Sequence, residues 1–296
     1  MSHVELLMEK ANFPEESRGF LTDLCRRLAA DSRYETLSRR LIDHDYSDSS
    51  ELIAVLDSMS PEFGVYKYSL YLAFYLNASE LLLDKYRANN IDEELFWFMT
   101  VDYRCKLEEC RANDGIWGTS AAAWHAPFYH LTRFAHGRLQ YDYSAFDGEI
   151  YERGGHVIRK GEPALRIHIP SSGPLTRELR HDSYRRAYEF NRERLNWNGV
   201  VPISCSSWLL YPAHKEMLPQ TSNIVGFIDD FDMISSSTSE TFGNAWRVFG
   251  PASKLPLEQW PEDTGLRRAY KKWLLSGKPA GSGYGIFFHD EQGRVR

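Results

Sequence analysis

ALRIHIPSSGPLT, residues Ala164 to Thr176, is the stretch on which the reading of this chain turns. In its first six residues Leu165 and Ile167 share one face while Arg166 and His168 share the other. That period of two marks a half-buried strand. Pro170 stops it, because proline has no N–H to give to a ladder. Ser171-Ser172-Gly173-Pro174 is a tight loop. An amphipathic helix then runs from Thr176 to Leu195, with Leu179, Ala187 and Phe190 facing inward. Strand, short glycine loop and helix in succession point to an α/β sheet.

Working outward, the alternation persists on both sides. RLQYDY (Arg138 to Tyr143) is an earlier alternating strand, and Asp147-Gly148 and Gly154-Gly155 are turn signals. Downstream, the pattern predicts a strand over Ile203 to Tyr211 and a helix over Pro219 to Met233. It then predicts a strand over Ala245 to Phe249, a helix over Thr264 to Leu275 and a closing strand over Gly285 to His289.

Before Gly137 the texture is helical. Pro14-Glu15-Glu16 is a helix start, with acids near the positive end of the dipole, and Leu21, Leu24, Cys25 and Leu28 follow on one face. Ser49-Ser50-Glu51 opens another helix with Leu52, Val55, Leu56 and Met59 inward, ended by Pro61. Tyr66, Leu70, Ala73 and Phe74 mark a third. Asn90 is placed to cap a fourth, whose stripe of Leu95, Phe98 and Met99 fails at Asp102. The switch of period predicts a boundary at residues 132–138. The fold class is then an all-helical N-terminal domain, residues 1–135, followed by a mixed-sheet α+β/α/β domain, residues 136–296.

Bulk properties narrow the function. The 296 residues carry a net charge of −6, so no basic face for a phosphate backbone is implied and nucleic acid is not expected as a partner. The most apolar stretch, Tyr66 to Leu83, is interrupted by Lys67, Asn77 and Glu80, which leaves no membrane span. The start MSHVELLMEK lacks the basic-then-apolar pattern of a signal peptide. Cys25, Cys105, Cys110 and Cys205 form no CxxC pair, and free thiols in a cytoplasmic setting are expected. The ten histidines show no HExxH pattern, so no metal is expected.

Taken in order, the blocks GRLQYDY, RIHIPSSGPL, SCSSWLLYP, LPQTSNIVGFIDDF, AWRVFG and GSGYGIFF resemble a bacterial acyltransferase family. Its members join an all-helical N-acyltransferase N-terminal domain to a GNAT-like C-terminal domain. The match covers Gly137 to Phe288 well and the N-terminal half in general character. The resemblance implies a sheet that splays between its fourth strand (ALRIHI) and its fifth (SCSSWLLY), with the thioester arm of an acyl-CoA co-substrate, acetyl-CoA or longer, in the gap. It implies direct transfer to a small-molecule amine or similar nucleophile. The helical half would shape the acceptor pocket or a homodimer surface. The Q/R-x-x-G-x-G/A pyrophosphate loop of typical GNAT enzymes is absent, and Ser171 to Thr176 stand in its place.

The candidate site residues follow. Ile169, Ser171, Ser172, Gly173, Leu175 and Thr176 form a strand-to-helix junction whose N–H groups suit an anion, and an ordinary capped turn is the plainer alternative. His168 beside it is the candidate base, against a strand histidine with a satisfied hydrogen bond. Cys205 is a candidate acyl-carrying nucleophile, against a small buried cysteine. Ser206 lies beside it on the fifth strand. Asn223 matches the asparagine that in GNAT enzymes often contacts pantetheine, while the tyrosine expected two turns later is replaced by Asp230 and Phe231. Asp230-Phe231-Asp232 has D-x-D spacing, which charged residues on a solvated helix end also explain. Two rivals stay open: a non-catalytic acyl-CoA or nucleotide-binding module, and a thiol-dependent hydrolase or transferase using Cys205 with His168.

Overall fold

The computed structural model describes residues 1–46, 48–194 and 197–295. It divides into two compact units. The first holds residues 1–135 with 170–172, and the second holds 136–169 with 173–296.

The first unit is helical: α1 (His3–Lys10), α2 (Glu15–Ala29), α3 (Ser32–Asp43), α4 (Ser50–Met59), α5 (Lys67–Ala88), α6 (Glu93–Asp114) and α7 (Ala126–Tyr129). Ser2 and Glu5 form a capping box on α1, each side chain meeting the other's backbone N–H. Leu21, Leu24, Cys25 and Leu28 of α2 are buried, as their spacing requires. α5 is buried at consecutive positions, Ser69 to Leu76, so it is the central helix rather than an amphipathic one. Tyr66 caps α5 and is exposed. α6 is capped by Asp92, whose carboxylate accepts the Glu94 N–H at 2.8 Å; Asn90, the expected cap, takes a φ of +52° in the connection. Asp102, where the apolar stripe fails, is fully buried and accepts from Trp124 Nε1 at 2.8 Å. His125 Nε2 lies 3.0 Å from the same carboxylate.

The first strand in the chain, β1 (Arg133–His136), ends where the second unit begins. There follow β2 (Leu139–Ala145), β3 (Ile150–Arg153), β4 (His156–Arg159), β5 (Pro163–His168), α8 (Arg177–Asn191) and β6 (Val201–Ser207). Then come α9 (His214–Met217), α10 (Asn223–Asp229), β7 (Asp232–Ser239), α11 (Ala245–Phe249), α12 (Gly265–Leu275), β8 (Ala280–Asp290) and β9 (Gly293–Arg294). The main sheet runs β1-β2-β5-β6-β8-β7, with β9 on β8, and β3 and β4 form a separate hairpin around Gly154-Gly155.

Antiparallel β2 and β5 are paired from Gln140↔His168 to Ala145↔Pro163. β5 and β6 are parallel and paired only at Leu165↔Ile203 and Arg166↔Ser204. Beyond that point β5 runs on to His168 and β6 to Ser207 without pairing to each other. β6 stays paired with antiparallel β8 along its whole length. One sheet face buries Tyr141, Leu165, Ile167, Ile203 and Cys205 under α8 and α10; the other buries Phe146, Ala164, Ile286 and Phe288 against the β3–β4 hairpin.

Several expected elements differ. Ala245 to Phe249 is a helix, not a strand, and its buried residues Ala245, Val248 and Phe249 have the i, i+3, i+4 spacing of one helical face. The helix expected over Pro219 to Met233 is only Asn223–Asp229, and Met233 belongs to β7. β6 ends at Ser207, where Trp208 to Leu210 turn as a 3-10 segment. In α8 the inward face is Arg180, Ser183, Tyr184 and Ala187, while Leu179 is 43% exposed and Phe190 is half-buried. Leu195, the expected end of that helix, lies outside the described residues.

Candidate functional site

His168 is the last residue of β5, on the face shared by Arg166. Its Nε2 lies 2.6 Å from Oδ2 of Asp142 on β2, and each side chain is 21% exposed. The register makes Gln140 the direct partner of His168 and Asp142 the direct partner of Arg166, so the pair is a cross-strand diagonal on one face. Arg166 is held by Asp147, Nη2 to Oδ2 at 3.2 Å. Ser206, on β6, is exposed. The sequence signal for Asp142 was present as the polar side of RLQYDY, but the diagonal depends on a strand register that one sequence does not state.

Cys205 is fully buried on the opposite face, and burial pushes its thiol up to about 12. Such a thiol stays protonated at neutral pH and supplies little nucleophile. Within the described geometry it packs as a small apolar residue.

The junction after β5 has a defined fastening. Gly173 has a φ of +144°, a conformation that side chains rarely adopt, and a Cβ there would meet nothing within 4 Å. Arg138 Nη2 donates to the Gly173 carbonyl at 2.7 Å, and its Nε donates to the Pro174 carbonyl at 3.0 Å. Ser171, in the first unit, donates its hydroxyl to Glu109 Oε1 at 2.9 Å. Ser172 is half-buried, Ile169 packs beside the core and Leu175 is within it. Thr176 is the N-cap of α8, its hydroxyl accepting the Leu179 N–H at 3.4 Å. The Ser171 hydroxyl is therefore already engaged, while the backbone N–H groups at the start of α8 suit an anion.

Asn223 is exposed at the first position of α10, after Ser222, whose hydroxyl accepts the Ile224 N–H at 3.3 Å. It lines a cavity of about 870 Å³ inside the second unit, together with Arg177 and His181 of α8, Gly226 of α10 and Arg294 of β9. A guanidinium that also lines this cavity, that of Arg180, was missed by sequence reasoning. Arg180 is buried, and its Nη1 donates to the Leu175 carbonyl at 2.5 Å while its Nε donates to Asp230 Oδ2 at 2.6 Å. The Tyr184 hydroxyl donates to the same oxygen at 3.0 Å. Asp232 points into a different cluster, accepting from Tyr151, Arg153 and Arg294 at 2.6–3.0 Å. Burial acts to raise its pKa, but these donors outweigh it and hold the carboxyl below its ordinary range. The D-x-D acids thus serve two separate ion-pair networks. Among the described residues no group of three or more His, Cys, Asp or Glu is arranged to hold a metal ion. No helix among them is long and apolar enough to cross a membrane.

Comparison with known proteins adds the following. Residues 2–131 match the family model of the N-acyltransferase N-terminal domain, and residues 133–287 match that of the GNAT-like C-terminal domain. Among solved structures, an acyltransferase in complex with decanoyl-CoA and teicoplanin is similar at a TM-score of 0.65 and 18% identity, over 100% of both chains. An acyltransferase in complex with decanoyl-CoA gives 0.66 at 18% identity, and one in complex with CoA and 10C-teicoplanin gives 0.64 at 19%. Each of these two covers 96% of this chain and 99% of the other. At such identities the likeness is one of fold. No curated protein matches the sequence.

Proposed function

Because the chain belongs to the family that joins an N-acyltransferase N-terminal domain to a GNAT-like C-terminal domain, we propose that it passes an acyl group from acyl-CoA directly to a small-molecule amine or similar nucleophile. It is an acyltransferase of the GNAT-like class. The observation that carries the site is the parting of β5 from β6 after Arg166 and Ser204. Backbone N–H and C=O groups that lose a ladder partner need another. The two amides of a pantetheine arm supply such partners when the arm lies in the gap as a third strand. The complexes of the similar acyltransferases with decanoyl-CoA support an acyl-CoA donor, and the teicoplanin complex supports a small-molecule acceptor.

His168 stands at the mouth of this gap. As the amine attacks, its nitrogen lone pair forms the C–N bond and His168 takes the N–H proton. The C–S electron pair then leaves on sulfur as CoA thiolate. Asn223 borders the donor arm, and the nucleotide phosphates lie at the start of α8, where the dipole, the first N–H groups and the Arg177 guanidinium favour an anion. Gly173, Leu175 and Thr176 shape that start. Direct transfer is preferred to a route through Cys205, since a thiol pushed up to about 12 by burial is seldom ionised.

Incubation with decanoyl-CoA and a panel of primary amines, read as CoA thiol release matched by acylated amine, tests the reading. His168→Gln should keep donor binding and lose roughly 10²–10⁴-fold in turnover, the usual worth of a general base. Wild-type turnover in that variant would remove His168 from the chemistry. Donor binding without thiol release for any amine would favour a non-catalytic module.

A further inference from the structure

We propose that Asp142 is the positioning residue of the transfer step, acting through His168. The proposal rests on the reading of His168 as base. It starts from β2, where the alternation of RLQYDY puts Leu139 and Tyr141 into the core and Gln140 and Asp142 on the opposite face. Antiparallel register sets Gln140 opposite His168, and the right-handed twist of a β pair brings the next residue of that face, Asp142, diagonally to the ring. The result is Oδ2 at 2.6 Å from Nε2 with both side chains about four-fifths withdrawn from water. A contact this short between partly dehydrated groups fixes the plane of the imidazole and which nitrogen carries the proton.

Arg166, also on this face, is engaged by Asp147. The neighbouring residues of the same face on β6 are the hydroxyls Ser204 and Ser206, and on β2 the amide Gln140. Asp142 is thus the carboxylate placed to stabilise the imidazolium that forms when the ring takes the amine proton. Asp142 itself stays ionised and the proton stays on His168. It touches neither donor nor acceptor, so its loss should appear in the proton-transfer step and not in donor binding.

The test compares Asp142→Asn, Asp142→Glu and His168→Gln with decanoyl-CoA and a primary amine that the wild type accepts. Asp142→Asn should lower kcat by about 10²-fold, within the range a general base supplies, with the donor KM unchanged. Asp142→Glu, which keeps the charge, should recover a large part of kcat. Wild-type kcat in Asp142→Asn alongside a crippled His168→Gln overturns the proposal and leaves the base in place. Equal losses in the Asn and Glu variants overturn it too, since a purely structural role predicts that. An unaffected His168→Gln sinks the underlying reading instead.

Discussion

Asp230→Asn removes one negative charge from the place where α8 meets α10, and the structure fixes what it should cost. Arg180 and Asp230 have side chains only 3% and 13% exposed and meet at 2.6 Å. The carboxylate also accepts the Tyr184 hydroxyl at 3.0 Å. Deleting one partner of a buried pair leaves the other charge stranded, which typically costs about 3–5 kcal/mol. Asparagine keeps one acceptor oxygen, and Arg180 keeps the Leu175 carbonyl, so the lower figure, about 3 kcal/mol, applies. For a unit of this size each kcal/mol shifts Tm by roughly 2–4 °C, giving a fall of about 6–12 °C. Calorimetry on wild type and variant measures it. The double variant Arg180→Met/Asp230→Leu should recover most of the loss, because apolar groups of similar volume replace a buried pair at little cost. A fall under about 2 °C in Asp230→Asn, or a double variant no better than the single, would refute the claim that this network is a buried clamp.

Three further outcomes are expected. Cys205→Ala should retain turnover within a few-fold, and the native protein should resist alkylation at Cys205 near neutral pH, since burial holds that thiol up to about 12; loss of all activity would revive the covalent route. Gly173→Val should destabilise by about 1–3 kcal/mol through its φ of +144° alone, because a Cβ meets nothing there. If phosphate lies at the start of α8, the same variant should weaken decanoyl-CoA more than decanoyl-pantetheine in calorimetric titrations, and equal effects on the two would make the junction an ordinary turn. Burial, partly offset by the Leu209 backbone, lowers the pKa of His214 to about 4. Its neutral form is favoured in the folded state, so its contribution is full above the unfolded value of about 6.5 and is lost as pH falls toward 4. Between pH 7 and pH 5 that is about 2 kcal/mol, which denaturant titrations of wild type and His214→Gln would reveal as a steeper slope in the wild type.

The parts legible in the sequence are those where one face is apolar and the other polar. Leu21, Leu24, Cys25 and Leu28 revealed α2 because a surface helix buries one stripe. Leu165 and Ile167 against Arg166 and His168 revealed β5 for the matching reason in a sheet. Where that asymmetry is missing, reading failed. β7 is an edge strand whose run Ser235 to Ser239 is exposed, so no alternation marks it. α8 hides its packing face behind Arg180 and Tyr184, a buried ion pair and a tyrosine, while offering Leu179 as a decoy on the exposed side. Of the candidate site, His168 was visible as a polar residue beside a glycine loop. Its partner Asp142 was not, because pairing across strands is decided by register, and register is a property of the folded sheet. The burial of Cys205 was likewise settled by the helices above it, not by its neighbours in sequence.

The most direct test of the account is a crystal structure of the His168→Gln variant with decanoyl-CoA. The account predicts the thioester between the ends of β5 and β6, flanked by Ile167 to Ile169 on one side and Cys205 to Ser207 on the other, with the phosphates at the start of α8. A donor bound with its thioester away from that gap, or a gap closed by strand pairing beyond Arg166 and Ser204, would contradict it.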